Sequence, residues 1–375
     1  MEFLFLASFL EVMQYMGYIL IAILILLSMI TVHELGHYLT GKLFSFGIEE
    51  FAIGFGPKLF SKKKKDGEVF SVRLFPLGGF CSFKGEDKDS DDKSAFNNKK
   101  PWQRIIVLVS GALMNYLFAL LIICLMFGIY GQSALVTYKT MPAQTEYEQS
   151  YSFNDKDIIL KADGKNIYLS TDLIKAINGK KQGDILDFEV IRNGKKQNVK
   201  ILLRADTDFT NMQDTTKLYS ALGIYFEMDY TSGQMQNGGL YTTGVRFGFF
   251  ETIFRSVDYS AKLAGSIFAV LGELLTGKLG LSSMGGTITT VAVAADVISV
   301  GGFRNVLNIA SFIGVNLAVF NLLPIPALDG SRAIFTLIEW VRGKPINRRV
   351  EGIIHSVGFV LLLVFAIIVD VQQCF

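Results

Sequence analysis

Four long apolar runs constrain this chain more than any other feature. They occupy residues 17–41, 105–130 (from IIVLVSGALMNYLFALLIICLMF), 306–340 and 353–369, the third interrupted by NLLPIPALDGS. About 20 residues at a rise of roughly 1.5 Å cross a hydrocarbon core of about 30 Å, so each run reads as a membrane span. Half of the residues are hydrophobic, too many for a typical soluble domain. The formal net charge of +2 implies no nucleic-acid partner. No Lys or Arg precedes Lys42, so the first run is expected to be a retained span and not a cleaved signal. Three cysteines cannot form an even disulfide framework, and they make no Cys/His cluster.

Charge orients the spans. Thirteen Lys and Arg residues fall between the first two, including Lys62–Lys65, and Arg342, Lys344, Arg348 and Arg349 fall between the last two. By the positive-inside rule both loops face the cytoplasm. The long stretch between spans two and three then lies outside. Within it, DIILKA, ILDFEVI and QNVKILL alternate like strands, Asp163–Gly164 and Asn193–Gly194 are turn dipeptides, and STDLIKAIN begins like a capped helix. A small α+β domain is expected there. Residues 248–300 are apolar but carry charges, among them Arg255, Asp258, Lys262, Glu273, Lys278 and Asp296, so they read as amphipathic helices that add either zero crossings or two.

Against this background TVHELGHYL (31–39) is anomalous, because ionisable groups inside a span are costly without a function. His33 and His37 are four apart, on one helix face, and Glu34 follows the first. H-E-x-x-H on a helix is a zinc signature: two imidazoles hold the metal and the glutamate is free to act as general base. A catalytic site needs a third protein ligand. His33 lies nine residues before Lys42, roughly 14 Å along a helix, and Asp329 lies thirteen before Arg342, roughly 20 Å by the same rise. Both are at comparable depth from the same face, which makes Asp329 the expected ligand. His355 is too shallow and reads as an interfacial polar residue. Pro324 and Pro326 break helical hydrogen bonding just before Asp329, and such backbone is tolerated at membrane depth where it lines a cavity. Asn321, at the same break, is an amide for a substrate backbone or an oxyanion, or else for a helix–helix hydrogen bond.

His33–Glu34–His37 in the first span and NLLPIPALDG in a late one make the sequence resemble the intramembrane site-2 proteases, most nearly the bacterial regulator-of-sigma-E protease type. GFGPKLF (54–60), FPLGGF (75–80) and GALMNYLFA (111–119) extend the resemblance over nearly the whole chain. It implies Zn2+ on His33, His37 and Asp329, Glu34 as the base, Asn321 in substrate handling, and an outer domain similar to PDZ. Pro324, Gly78 and Gly79 are expected among the substrate-binding residues. The segment 46–84 is expected to form a β-hairpin dipping into the membrane beside the metal, where its edge would take an unwound substrate as an added strand.

The expected fold is therefore a polytopic α-helical membrane protein with about four core transmembrane helices, a membrane-associated β-hairpin and one extracytoplasmic PDZ-like α+β domain. Its expected parts are a first span with HExxH (1–45), a cytoplasmic-side loop with the hairpin (46–104), a second span (105–131), the PDZ-like domain (132–207), a connector with amphipathic helices (208–304), a third span with the LDG motif (305–341), a cytoplasmic loop (342–352) and a last span (353–375). The expected activity is hydrolysis of peptide bonds within single-span membrane proteins, in a bacterial inner membrane, with an upstream site-1 protease as a further partner. Two other classes use the same residues: a zinc-binding membrane transporter, and an inactive PDZ scaffold. The lack of an inverted repeat speaks against the first, and the intact His33, Glu34, His37 and Asp329 against the second.

Overall fold

The computed structural model describes residues 2–86, 90–209, 215–228, 235–278, 280 and 285–374. The chain forms two compact units, Met1–Met126 with Ile253–Phe375, and Phe127–Thr252.

The first unit opens with α1 (Glu2–Leu43), apolar on all sides as a lipid-facing helix must be. Ser28 and Thr31 return their hydroxyls to the Leu24 and Leu27 carbonyls, each at 2.7 Å, so neither hydroxyl is stranded. Then come β1 (Ile48–Lys63) and β2 (Val69–Phe83). Their register pairs 48–53 with 79–83 and 58–63 with 69–73, while 50–53 also aligns with 69–72. Both strands therefore fold over part-way. Gly54 and Gly56, at φ +86° and +84°, supply the left-handed backbone for that bend. The base of this hairpin (Phe46, Ile48, Phe83) packs on Phe96, Val107 and Leu108. Its basic turn is tied to α1 through the buried Glu68, which accepts from Lys42 and, at 2.7 Å, from Lys64. Burial pushes the Glu68 carboxyl up, but the hydrogen bonds from Lys42, Lys64 and Tyr38 outweigh it and hold the group below its ordinary range.

Proline in the first turn starts α2 (Pro101–Tyr130), where a missing N–H costs nothing. The second unit follows: β3 (Gln132–Thr137), α3 (Glu146–Ser150), β4 (Ile158–Ala162), β5 (Lys165–Asn166), α4 (Ser170–Ile177), β6 (Ile185–Arg192), β7 (Lys195–Leu202), α5 (Thr215–Leu222), β8 (Phe226–Met228), β9 (Met235–Gly238) and β10 (Leu240–Val245). Its main sheet runs β10-β3-β4-β6-β7, with β5 beside β4. Asn193 and Gly194, at φ +52° and +75°, close the β6–β7 hairpin as a two-residue turn with both residues left-handed. One core gathers Leu173, Ile174 and Ile177 of α4 onto Ile159, Phe188 and Ile201 of the sheet. This unit runs past the expected boundary at 207. Strand β10 pairs along the whole of β3, which would otherwise be a bare edge, and α5 adds Leu218 and Leu222 to the core. Within the expected connector, residues 210–214, 229–234, 279 and 281–284 lie outside the described ones.

Back in the first unit, α6 (Phe249–Leu275) is amphipathic. It is followed by α7 (Thr287–Leu322), α8 (Asp329–Arg342) and α9 (Arg348–Cys374). The helix expected at 305–341 is thus two. Pro324 and Pro326 withdraw backbone donors and end α7 at Leu322, and α8 starts afresh at Asp329. At its other end α7 reaches back to Thr287 across a kink at Gly302 (φ +57°, ψ −144°). Among the described residues, four helices are long and apolar enough to cross a membrane, over Leu10–Leu43, Pro101–Tyr130, Ile288–Leu322 and Arg348–Gln372. Ala22, Ile25 and Met29 of α1 pack with Ile122 of α2 and Ala294, Ile298, Ala310 and Ile313 of α7. Small residues let these helices approach closely, the means of association left when lipid is as apolar as the helix.

Candidate active site

In α1 the spacing of four stacks His33 and His37 one turn apart. Both are 7 % exposed, and their Nε2 atoms are 3.1 Å apart. Asp329, 296 residues after His33, brings Oδ2 to 2.9 Å from His33 Nε2 and 3.2 Å from His37 Nε2. A tetrahedral zinc site with ligand bonds of about 2.0–2.1 Å has edges of about 3.3 Å. The three atoms therefore occupy the corners of one face of such a tetrahedron. Two imidazole nitrogens and one carboxylate oxygen are also the donor set that zinc accepts, so the residues fit the metal.

The far nitrogen of the His37 ring fixes its tautomer. His37 Nδ1–H donates to the Val107 carbonyl at 2.8 Å, which leaves the lone pair on Nε2. His33 Nδ1 lies 3.4 Å from the Asn321 side-chain amide. The near atom is Nδ2, a donor; with the side-chain amide turned over, its oxygen would instead accept from a protonated Nδ1. Asn321 is thus placed against His33, at the helix end where sequence alone left substrate and helix–helix roles open.

Asp329 is the first residue of α8, where the helix dipole favours a carboxylate. The turn before it is held on two sides. A Cβ on Gly330 would run into the backbone of Leu322 and Leu323, so the start of α8 lies directly on the end of α7. Ala327 has a left-handed φ of +78°, and its N–H donates to His355 Nδ1 of α9 at 3.0 Å. His355 is therefore bonded to the turn that carries Asp329.

Glu34 follows His33 by about 100° around the helix and is half-buried. Its side chain meets the hairpin: a Cβ on Gly79 would lie 3.5 Å from Glu34 Cγ. Gly78, beside it, packs against the Phe55 ring instead, so only one of the two expected glycines reaches Glu34. Glu34, His33, Asn321 and Asp329 line one cavity of about 290 Å³, with Asn115, Ile30 and Leu317. Pro324 is exposed in the turn and does not line it.

Three residues of the centre escaped sequence reasoning. A Cβ on Gly111 of α2 would collide with His37 Nε2 and His33 Cε1, and one on Gly36 of α1 would collide with the Ser110 carbonyl and Gly111 Cα. The two helices touch backbone to backbone behind the imidazoles. Asn115, one turn beyond Gly111, is fully buried. A glycine inside an apolar helix is a signal for such an approach, but nothing local says which helix approaches.

The sequence profile of peptidase family M50 matches residues 21–365. The chain is 33 % identical over 361 residues to a protein of Fusobacterium nucleatum provisionally named a zinc metalloprotease, covering 94 % of this chain and 97 % of the relative. It is 32 % identical over 360 residues to a protein of Clostridium perfringens with the same provisional description, covering 95 % and 98 %. It is 26 % identical over 433 residues to the zinc metalloprotease RasP of Geobacillus kaustophilus, covering 93 % and 96 %.

Proposed function

The chain belongs to peptidase family M50, and on that premise we propose that it is a zinc-dependent intramembrane protease of the site-2 type, cutting peptide bonds within single-span membrane proteins. The observation that carries this reading is the convergence of His33 and His37, in an apolar helix, with Asp329 at the start of α8, beside a cavity that His33, Asp329 and Glu34 line. The relatives' names support zinc as the metal.

His33, His37 and Asp329 would hold the ion. Bound zinc supplies Lewis acidity, which acidifies water and polarises a carbonyl. Glu34 takes the proton of the attacking water and passes it to the leaving amide nitrogen as the C–N bond breaks. Asn321 orients His33 through Nδ1. The hairpin segment 79–83 runs beside Glu34 and pairs with 48–53 on one side. Its other edge would receive an unwound substrate as an added strand, satisfying the peptide groups that a helix hides.

Charge supports the orientation. The basic loops 42–104 and 342–349 belong on the cytoplasmic side of a bacterial inner membrane, which puts the cut in the cytoplasmic half and the 127–252 unit outside. That unit we read as PDZ-like, on the strength of its short-stranded sheet and the α4 helix against it. Single-span substrates already trimmed outside, such as an anti-sigma factor or a remnant signal peptide, suit this arrangement, with a site-1 protease upstream.

The test is cleavage of a tagged single-span substrate by the purified, zinc-loaded protein. Glu34→Gln is expected to retain zinc and to lose turnover by at least 10³-fold, the scale of a lost general base with its proton relay. Turnover by Glu34→Gln at the wild-type rate, or a wild type that holds zinc and cuts no span, would overturn the reading.

A further inference from the structure

Asn115 is fully buried, and neither Nδ2 nor Oδ1 has a hydrogen-bond partner among the described residues. A carboxamide so placed has lost its water and gained nothing in return, a condition native interiors rarely tolerate. Within the unit its surroundings are not neutral packing. The residue lines the cavity of about 290 Å³ that also holds His33, Glu34, Asn321 and Asp329. Gly111, four residues earlier on the same face of α2, lies against both imidazoles. The unspent amide is therefore one turn along from the point where α2 touches the metal ligands, and it faces the space that a reacting peptide must enter.

From this we propose that Asn115 is a catalytic residue: its amide N–H groups donate to the oxygen of the scissile peptide as that oxygen gains negative charge. The inference rests on the protease reading and adds a residue to it. Donors fixed in a water-poor cavity act where charge develops, and they need no reorganisation at the moment of reaction. An asparagine suits the task because it offers donors without bringing a charge beside Glu34 and Asp329. The reaction's balance is unchanged. Water oxygen bonds to carbon, the C–N bond breaks, and the proton travels by Glu34. Asn115 only holds the oxygen.

The test uses the full-length zinc-loaded protein and a single-span substrate, comparing wild type with Asn115→Leu, which keeps the volume and removes both polar groups. The expected result is a 10²- to 10³-fold loss of kcat, the scale of one lost oxyanion donor. KM should stay within about twofold and zinc content should match wild type. Binding of a phosphinate peptide, a tetrahedral mimic, should weaken by about the same factor, while a matched uncleaved peptide binds as before. A kcat within about threefold of wild type would overturn the assignment. So would equal weakening of both peptides, or loss of zinc, since either makes Asn115 a packing residue. Asn115→Ala answers the same questions if the leucine variant does not assemble. If wild type holds zinc yet cuts nothing, the protease reading fails, and the two peptide affinities still decide the role of Asn115.

Discussion

A single methyl group at residue 111 would occupy the space of His37 Nε2. Gly111→Ala is therefore expected to cost at least tenfold in zinc affinity, read as metal retained after dialysis against a graded chelator, with helix content unchanged. An alanine variant that keeps wild-type affinity would mean that α2 does not set the ligand geometry. Asp329→Asn tests the third ligand in the same assay. Asparagine keeps the volume and the turn but removes the charge that balances the cation, so retention should fall by more than tenfold. At this scale the sequence is legible where chemistry is concentrated in a local pattern. His33, Glu34 and His37 declare themselves by spacing, and Asp329 by being a carboxylate at matching depth. Gly36, Gly111 and Asn115 do not, because glycine and asparagine in an apolar helix take their meaning from the neighbour that the helix happens to meet.

Among the elements, α9 has a role beyond spanning. His355 accepts from the Ala327 N–H at 3.0 Å, and Gly358, one turn on, lies so close to Pro326 that a Cβ would meet it. The helix braces the turn whose next but one residue after Ala327 is Asp329. His355→Leu is expected to lower zinc affinity 10- to 100-fold, the usual cost of removing an outer partner of a ligand. His355→Asn, which still offers an acceptor, should recover most of it. Equal affinity in all three proteins would reduce α9 to a membrane anchor. The hairpin carries a pH dependence of its own. The Glu68 carboxyl is held below its ordinary value of 4.5 by Lys42 and Lys64, against the opposing effect of burial. The folded form therefore binds its proton less readily than the unfolded one. The stabilisation is complete above about pH 4.5 and is lost as pH falls through the lower folded value. Amide exchange in 62–70 should accelerate on acidification through that window, and Glu68→Gln should remove the pH dependence. The two strand segments are readable from their alternation. Their fold-over at Gly54 and Gly56 is not, since a strand pattern does not reveal that one strand pairs twice.

At the scale of the whole molecule, His33, His37 and Asp329 all belong to one unit, although 296 residues of chain separate His33 from Asp329. Binding of an ion to His33, His37 and Asp329 closes that length of chain into a loop. Stripping zinc by a chelator should therefore lower the stability of the Met1–Met126 and Ile253–Phe375 unit, by about 2.7 kcal/mol for a site held at 100 times its Kd. Exchange protection of β6 and β7, in a unit with its own core, should not change. Loss of protection in both units alike would show that they fold as one. The sequence by itself determined the four apolar helices, the polar unit between them, the histidine pair with its glutamate, and the break before Asp329. Each of these follows from a residue's own properties: its transfer cost, its period, its missing N–H. Only the tertiary structure decided that α7 and α8 are separate helices, that β10 completes the sheet of the 127–252 unit, that α2 backs the imidazoles at Gly111, and that Asn115 faces the cavity. These depend on which surfaces meet across the chain, and contact between distant segments is set by the packing of all of them together, which no local pattern contains.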